Sequence, residues 1–193
     1  MQRFLFLADS ISTWVGKIFS WCILILTAVV SYEVFVRYVL GMPTSWAYDV
    51  SYILYGTLFM MTGAYALSRN AHVRGDVVYR FMSVRTQAGI DLTLYIIFFF
   101  PGILALIYSG YGFAAFAWLI KERSSFSPNG PPLYHFKAVI PLAALFMAIQ
   151  GIAETIRSAI AFRTGVWPQR LQDVEELEKE ILAAAPQADG VVR

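Results

Sequence analysis

The chain has 193 residues, of which 58% are hydrophobic and 15% charged, with a mean hydropathy of +0.58 and a formal net charge of +2. These values are far from those of a soluble globular domain and mark an integral membrane protein. The single cysteine, Cys22, excludes an intrachain disulfide and a thiolate metal site, and no basic and aromatic stripe outside the apolar segments offers a surface for nucleic acid.

A helix needs about 20 mostly apolar residues to cross the hydrocarbon core, and the intervals between charges predict four such helices. They lie at about 15–38, 47–68, 92–120 and 137–160, making an all-α transmembrane domain over residues 1–168. No small-residue cleavage site follows the first apolar run, so span one reads as a retained anchor.

The first and last spans reach full length only by taking in Glu33 and Glu154. Arg37 follows Glu33 at i+4 and Arg157 follows Glu154 at i+3, spacings that put opposite charges on one helix face. Both read as interfacial ion pairs, with parts of an ion path as the rival reading.

Next in chain order, GMPTSWAYD (41–49) combines turn formers, an expected N-cap at Thr44 or Ser45, an interfacial Trp46, and Asp49 in a first turn where the helix dipole favours an anion. Capping and anchoring account for it; contact of Trp46 and Asp49 with a partner is the sharper alternative. Gly56 and Gly63, seven apart in span two, mark a face where another backbone can come close, as do Gly110 and Ala114 in span three. These serve internal packing or a seam for another subunit.

RNAHVRGDVVYR (69–80) is the most chemically suggestive run, setting a histidine, an aspartate and three arginines beside one another between two apolar segments. His72 and Asp76 share a helix face, but a metal site normally needs three or four ligands, and the only other histidine, His135, belongs to the opposite loop. Neither histidine is inside a span, so a haem held by paired histidines within the membrane has no support either. No cofactor is expected. Val73, Val77, Phe81 and Val84 fall on one helical arc flanked by Arg74, Arg80 and Arg85. That pattern predicts a helix lying in the interface between spans two and three, its arginines at lipid phosphates.

The third interval is longer than a bilayer requires and must tilt, project, or bend at Pro101-Gly102. After Pro168 the chain becomes acidic: LQDVEELEKEIL predicts a short amphipathic helix, either solvated or docking, followed by a disordered end, so 169–193 reads as a separate tail. Up to Arg170 the chain holds 13 basic and 7 acidic residues. Arg3, Lys17, Arg69, Arg74, Arg80, Arg85, Arg157, Arg163 and Arg170 fall at one end of the spans, against Arg37, Lys121, Arg123 and Lys137 at the other. By the positive-inside rule both termini are expected in the cytoplasm.

Between their bounding charges the spans offer only hydroxyl groups and Gln150, whereas solute sites in transporters use interrupted helices and polar groups at mid-membrane. No nucleophile with its base and no phosphate-binding loop can be assembled, so an enzyme is not expected. The residue types point to a membrane partner or scaffold.

Trp46 and Asp49 opening span two, GAYAL (63–67) at its end, RNAHVRGD after it, and four spans in this length resemble the small membrane subunit of tripartite ATP-independent periplasmic (TRAP) transporters, the DctQ type. The resemblance implies a bacterial inner-membrane, sodium-driven secondary transporter of organic acids. In such systems a periplasmic binding protein delivers substrate to a large membrane subunit that moves like an elevator, and the small subunit is a static scaffold. Trp46 and Asp49 match the family's tryptophan and acid at the outer start of span two; His72, Val73 and Asp76 match its cytoplasmic H-[VI]-x-x-D run. Tyr48 stands where a second acid is frequent, and Gly75 where a β-branched residue is common. NAHVRGDVVY and PNGPP (128–132) look closer to a subgroup associated with keto and hydroxy acids. The rival readings are a membrane anchor of an oxidoreductase and an autonomous small channel or exporter.

Overall fold

The computed structural model describes residues 2–70, 79, 81–128 and 130–171. His72, Arg74, Asp76 and Arg80, most of the expected interfacial helix, and the acidic tail lie outside the described residues.

Among the described residues the elements are α1 (Gln2–Tyr38), α2 (Ala47–Met61), α3 (Gly63–Ser68), α4 (Val84–Leu94), a π-helical turn (Tyr95–Phe99), α5 (Phe100–Ile120) and α6 (Tyr134–Thr164). Four helical stretches are long and apolar enough to cross a membrane: Gln2–Tyr38, Ala47–Ser68, Val84–Ile120 and Tyr134–Thr164. The protein is an all-α membrane protein.

α6 is the central element, packing along α5 and also against α4, α3, α2 and α1, while α1 lies along α2. One end of this bundle, the near end, carries residues 2–13, the turn after α3 and the C-terminus of α6. The far end carries the connection 39–46 and the hairpin 121–133.

Two helices are longer than the intervals between charges. α1 starts at Gln2 rather than near residue 15, because Leu5, Ala8, Asp9, Ser12, Thr13 and Gly16 bury one face of its first turns. Leu5 and Ala8 pack on Ala153 of α6, with Ile149 and Ile156 beside them. The third span starts at Val84, where Ser83 Oγ accepts from the Thr86 N–H at 3.3 Å as an N-cap. The chain therefore turns at Phe81–Ser83, and the apolar arc expected to run through Phe81 into Val84 ends there. Phe81 is 90% exposed.

Pro101 explains the irregularity within this span. A proline ring collides with the carbonyl four residues earlier and cannot donate to it, so the ladder rearranges one turn upstream. Tyr95–Phe99 form a π turn closed by the Phe100 N–H donating to the Tyr95 carbonyl. Pro141 in α6 is accommodated by Gly110 of α5, where an added Cβ would lie 3.0 Å from Ile140 Cγ2 and 3.4 Å from the Pro141 nitrogen.

At the far end α5 closes on Lys121 in the left-handed region (φ 51°). The hairpin is held by the Ser124 N–H to the Pro131 carbonyl (3.0 Å), the Leu133 N–H to the Glu122 carbonyl (2.9 Å), and Arg123 Nε to the Gly130 carbonyl (2.9 Å).

Candidate functional site

The densest polar cluster is at the near end, inside the bundle. α6 presents Gln150, Glu154 and Arg157 at spacings of four and three, so all three project from one face toward the first turns of α1. Arg157 is fully buried. Its Nη1 and Nη2 donate to Asp9 Oδ1 (3.0 Å) and Oδ2 (2.6 Å), the two-pronged geometry that suits a guanidinium, and Nη1 donates to Glu154 Oε1 at 2.6 Å. Gln150 Nε2 donates to Asp9 Oδ1 (3.0 Å) and Glu154 Oε1 (3.2 Å), while its Oε1 accepts from Ser12 Oγ at 2.9 Å.

A second arginine closes the cluster. Arg170 donates through Nη2 to Glu154 Oε2 (2.8 Å), and through Nη1 to Glu154 Oε1 and the Ser68 carbonyl, both at 3.0 Å. The Leu171 N–H reaches Asp9 Oδ2 at 3.3 Å. Two carboxylates and two guanidinium groups thus balance in charge, which is how ionised groups tolerate burial. The cluster ties together the start of α1, the end of α3, α6 and the chain beyond it. Arg157 Nε is left without a partner among the described residues.

The Glu154–Arg157 pair expected from spacing is therefore part of a larger buried set. Asp9 and Ser12 did not emerge from the sequence reading, and Arg170 entered it only as one of the positive charges at this end. The signal for the first two was a polar and small stripe, Asp9, Ser12, Thr13 and Gly16, at helical spacing in an apolar segment; Asp9 and Ser12 face Gln150 and Arg157 of α6, and Gly16 faces Tyr65 of α3.

At the far end Glu33 accepts from Arg37 Nη2 (2.5 Å) and Nε (2.9 Å), and also from the Thr44 N–H (3.2 Å) and the Thr44 hydroxyl. Thr44 is thereby committed to α1. α2 begins at Ala47 with Trp46 in the N-cap position and no side-chain cap, so the cap expected at Thr44 or Ser45 is not formed. Trp46 instead stacks on Tyr32 of α1, ring centroids 6.1 Å apart, and remains 42% exposed.

Asp49 is fully buried. Its carboxylate accepts from the hydroxyls of Ser124 and Ser127, and Ser127 Oγ also meets the Ser45 carbonyl. The hairpin 121–133 is tied to the start of α2 through this carboxylate, the Ser45 carbonyl, and the edge contact of Phe126 with Tyr48, ring centroids 5.5 Å apart. Beside it Lys137 Nζ pairs with Glu122 Oε2 at 2.5 Å and lies 3.9 Å from the Phe113 ring centroid. His135 belongs to an aromatic girdle, its ring 5.0 Å from Trp118 and 4.1 Å from Tyr134.

Both glycines singled out in span two face α6. A Cβ on Gly56 would lie 2.6 Å from Phe136 Cζ, and one on Gly63 3.1 Å from Met147 Sδ. Arg69 lies over the Tyr65 ring at 5.4 Å. Arg85 is exposed, with Nε 3.6 Å from where Gly165 would carry a Cβ; its charge sits at the C-terminus of α6, where the helix dipole favours a cation.

A family model described as Tripartite ATP-independent periplasmic transporters, DctQ component, matches residues 26–161. The chain belongs to the DctQ family. It is thus a small membrane component of a TRAP transporter, a transport component rather than an enzyme family. No match among curated proteins was found. The matched stretch of this DctQ chain contains the Glu33 and Asp49 knots and the α6 half of the buried cluster, whereas Asp9 and Arg170 lie outside it.

Proposed function

We propose that this DctQ subunit is the static scaffold of a sodium-coupled TRAP transporter in the bacterial inner membrane. A large membrane subunit moves an organic acid there and a periplasmic binding protein delivers it. One observation carries the reading: among the described residues, every buried side-chain nitrogen or oxygen except Arg157 Nε has a partner within the subunit. Gln150 is fully bonded to Ser12, Asp9 and Glu154. The hydroxyls of Thr27, Thr62, Thr93 and Thr155 bond back to carbonyls of their own helices. Solute and ion sites in transporters instead need unwound backbone and polar groups aimed at a cavity, so substrate and sodium belong to the large subunit.

Trp46, Asp49 and the hairpin form the periplasmic end in this reading, and the arginine-rich near end faces the cytoplasm, where lysine and arginine accumulate. His72, Arg74, Asp76 and Arg80 then belong to the cytoplasmic loop with Arg69 and Arg85, structuring it or meeting lipid and partner. The aromatic and aliphatic side chains exposed on α1 and α5, such as Trp14, Trp21, Phe35, Tyr108 and Phe116, meet lipid or the large subunit.

The test is reconstitution in liposomes with an imposed sodium gradient. Uptake of a carboxylate should require this chain, a large TRAP subunit and a binding protein together. Conductance or uptake by this chain alone, or a b-haem absorbance with quinone-dependent activity, would overturn the proposal.

A further inference from the structure

Between α3, α6 and the third span lies an open crevice of about 840 Å³. One of its walls runs Ile90, Leu94, Phe98, Gly102 and Leu106, a strict step of four. In an unbroken α-helix, at 3.6 residues per turn, steps of four drift by about 40° each, and Ile90 and Leu106 would point about 160° apart. The π turn at Tyr95–Phe99 inserts one residue into the helix and takes back about 100° of that drift, holding the ridge along a single groove. A parallel ridge, Asp91, Tyr95, Phe99 and Ile103, forms the floor. Phe99 is fixed there by Gly151 of α6, where a Cβ would lie 2.2 Å from its ring.

Among the described residues the polar lining of the groove is Tyr95 on the floor and, at the near mouth, Asn70, Tyr79 and Asp91, where the Tyr79 hydroxyl donates to Asp91 Oδ2 at 2.9 Å. From there it descends into the uncharged interval 92–120. Gly102 lines it, and a Cβ at that position would meet no atom of another element within 4 Å. Internal packing therefore does not call for the glycine; its effect is to keep the groove open.

Dimensions select the occupant. The ridge from Ile90 to Leu106 is roughly 24 Å long at 1.5 Å per residue, so 840 Å³ corresponds to a mean section of about 35 Å². Counting a water radius of about 1.4 Å at the walls widens this to about 70 Å², still below the roughly 80–110 Å² of a helix that is 10–12 Å across with its side chains. The length exceeds the roughly 15 Å of hydrocarbon in one leaflet. We propose that this crevice is a phospholipid site, an acyl chain lying along the Ile90–Leu106 ridge and its headgroup at the Asn70–Tyr79–Asp91 mouth.

The full-length subunit, extracted with mild detergent and examined by native mass spectrometry, should retain a phospholipid. Gly102→Trp should lose it and Gly112→Trp should keep it, since a Cβ at Gly112 also meets nothing within 4 Å but lies off the crevice. Equal retention by the two variants, or no retained phospholipid in the unaltered protein, overturns the proposal. A second measurement does not depend on how Gly102→Trp folds. A photoreactive p-benzoylphenylalanine at Phe98, illuminated after extraction, should add the mass of a phospholipid, whereas one at Phe116, exposed on the same helix outside the crevice, should not. Equal labelling of the two positions, or an adduct of the Phe98 probe with the large subunit in the co-purified complex, overturns it.

Discussion

Arg157 is the residue whose loss the buried cluster should tolerate least. Arg157→Met removes three charge-assisted hydrogen bonds, two to Asp9 and one to Glu154, and leaves Asp9, 2% exposed, with Gln150 and the Leu171 N–H as its donors among the described residues. Breaking a buried pair by deleting one partner costs about 3–5 kcal/mol, because an uncompensated charge stays behind. At about 2–4 °C per kcal/mol for a chain of this size, that is a fall in Tm of roughly 6–20 °C. Asp9→Leu should act in the same direction, leaving Arg157 with Glu154 alone. The double variant Asp9→Leu/Arg157→Met removes one charge of each sign and keeps the Glu154–Arg170 pair at 2.8 Å. Replacing a complete buried pair by apolar groups is often neutral or better, so the double variant should be more stable than either single one. Thermal unfolding of the purified protein, as a double-mutant cycle, reads this directly. Additive losses in the double variant, or single variants that match the unaltered Tm, would refute the reasoning.

The helix seams give a graded expectation. Gly56→Ala and Gly151→Ala drive a methyl group to within 2.6 Å and 2.2 Å of Phe136 and Phe99 rings, whereas Gly63→Ala meets the flexible end of Met147 at 3.1 Å. The first two should cost about 1–3 kcal/mol through overpacking and the third less; thermal unfolding that shows the reverse order would place these faces elsewhere. Asp49→Ala removes the acceptor for Ser124 and Ser127, a loss of about 1–3 kcal/mol for the buried Ser124 hydroxyl left behind, while the half-buried Ser127 keeps the Ser45 carbonyl. Limited proteolysis should then cut within 121–133 faster than in the unaltered protein.

How much of this was legible in the sequence depends on where each charge finds its partner. Where neutralisation is local, as in Glu33–Arg37 at i+4, spacing suffices to allow an acid within a span. Where it is remote, the same reasoning reads the charge as a boundary. Asp9 lies 148 positions from Arg157, and nothing near Asp9 announces a partner, so a 37-residue helix looked like a span beginning near residue 15. Asp91 likewise marked the start of the third interval, although a hydrogen bond from Tyr79 keeps it within a helix that begins at Val84. Asp49 was placed at the correct helix end, but its two serine donors are 75 and 78 residues away and only the fold brings them together. Pro101 announced an irregularity; the π turn before it follows from the proline's clash one turn upstream rather than from any residue that marks position 95.

The lengths of the helices locate the membrane on this bundle. α1 and the third span each run 37 residues, about 55 Å at 1.5 Å per residue, against about 30 Å of hydrocarbon. Even a tilt of about 40°, the upper end of what spans adopt, leaves roughly 42 Å along the bilayer normal, so about 12 Å must project. Charges decide which end projects: α1 carries Arg3, Asp9 and Lys17 before its uncharged stretch, and the third span carries Arg85 and Asp91 before its own. Both excess lengths are at the near end, and the Asp9–Arg157 cluster lies at their base, stapling the projecting turns of α1 to α6. Leu7 and Leu24 offer a matched test, since both are 58% exposed on α1 but stand on opposite sides of Lys17. In a Cys22→Ser background, Leu7→Cys should react with a membrane-impermeant maleimide in vesicles of one orientation, the inside-out ones in the proposed topology, and Leu24→Cys in neither. Protection of Leu7→Cys equal to that of Leu24→Cys in both orientations would mean that the first turns of α1 lie within the bilayer, and that the buried cluster pairs its charges in hydrocarbon rather than at the surface.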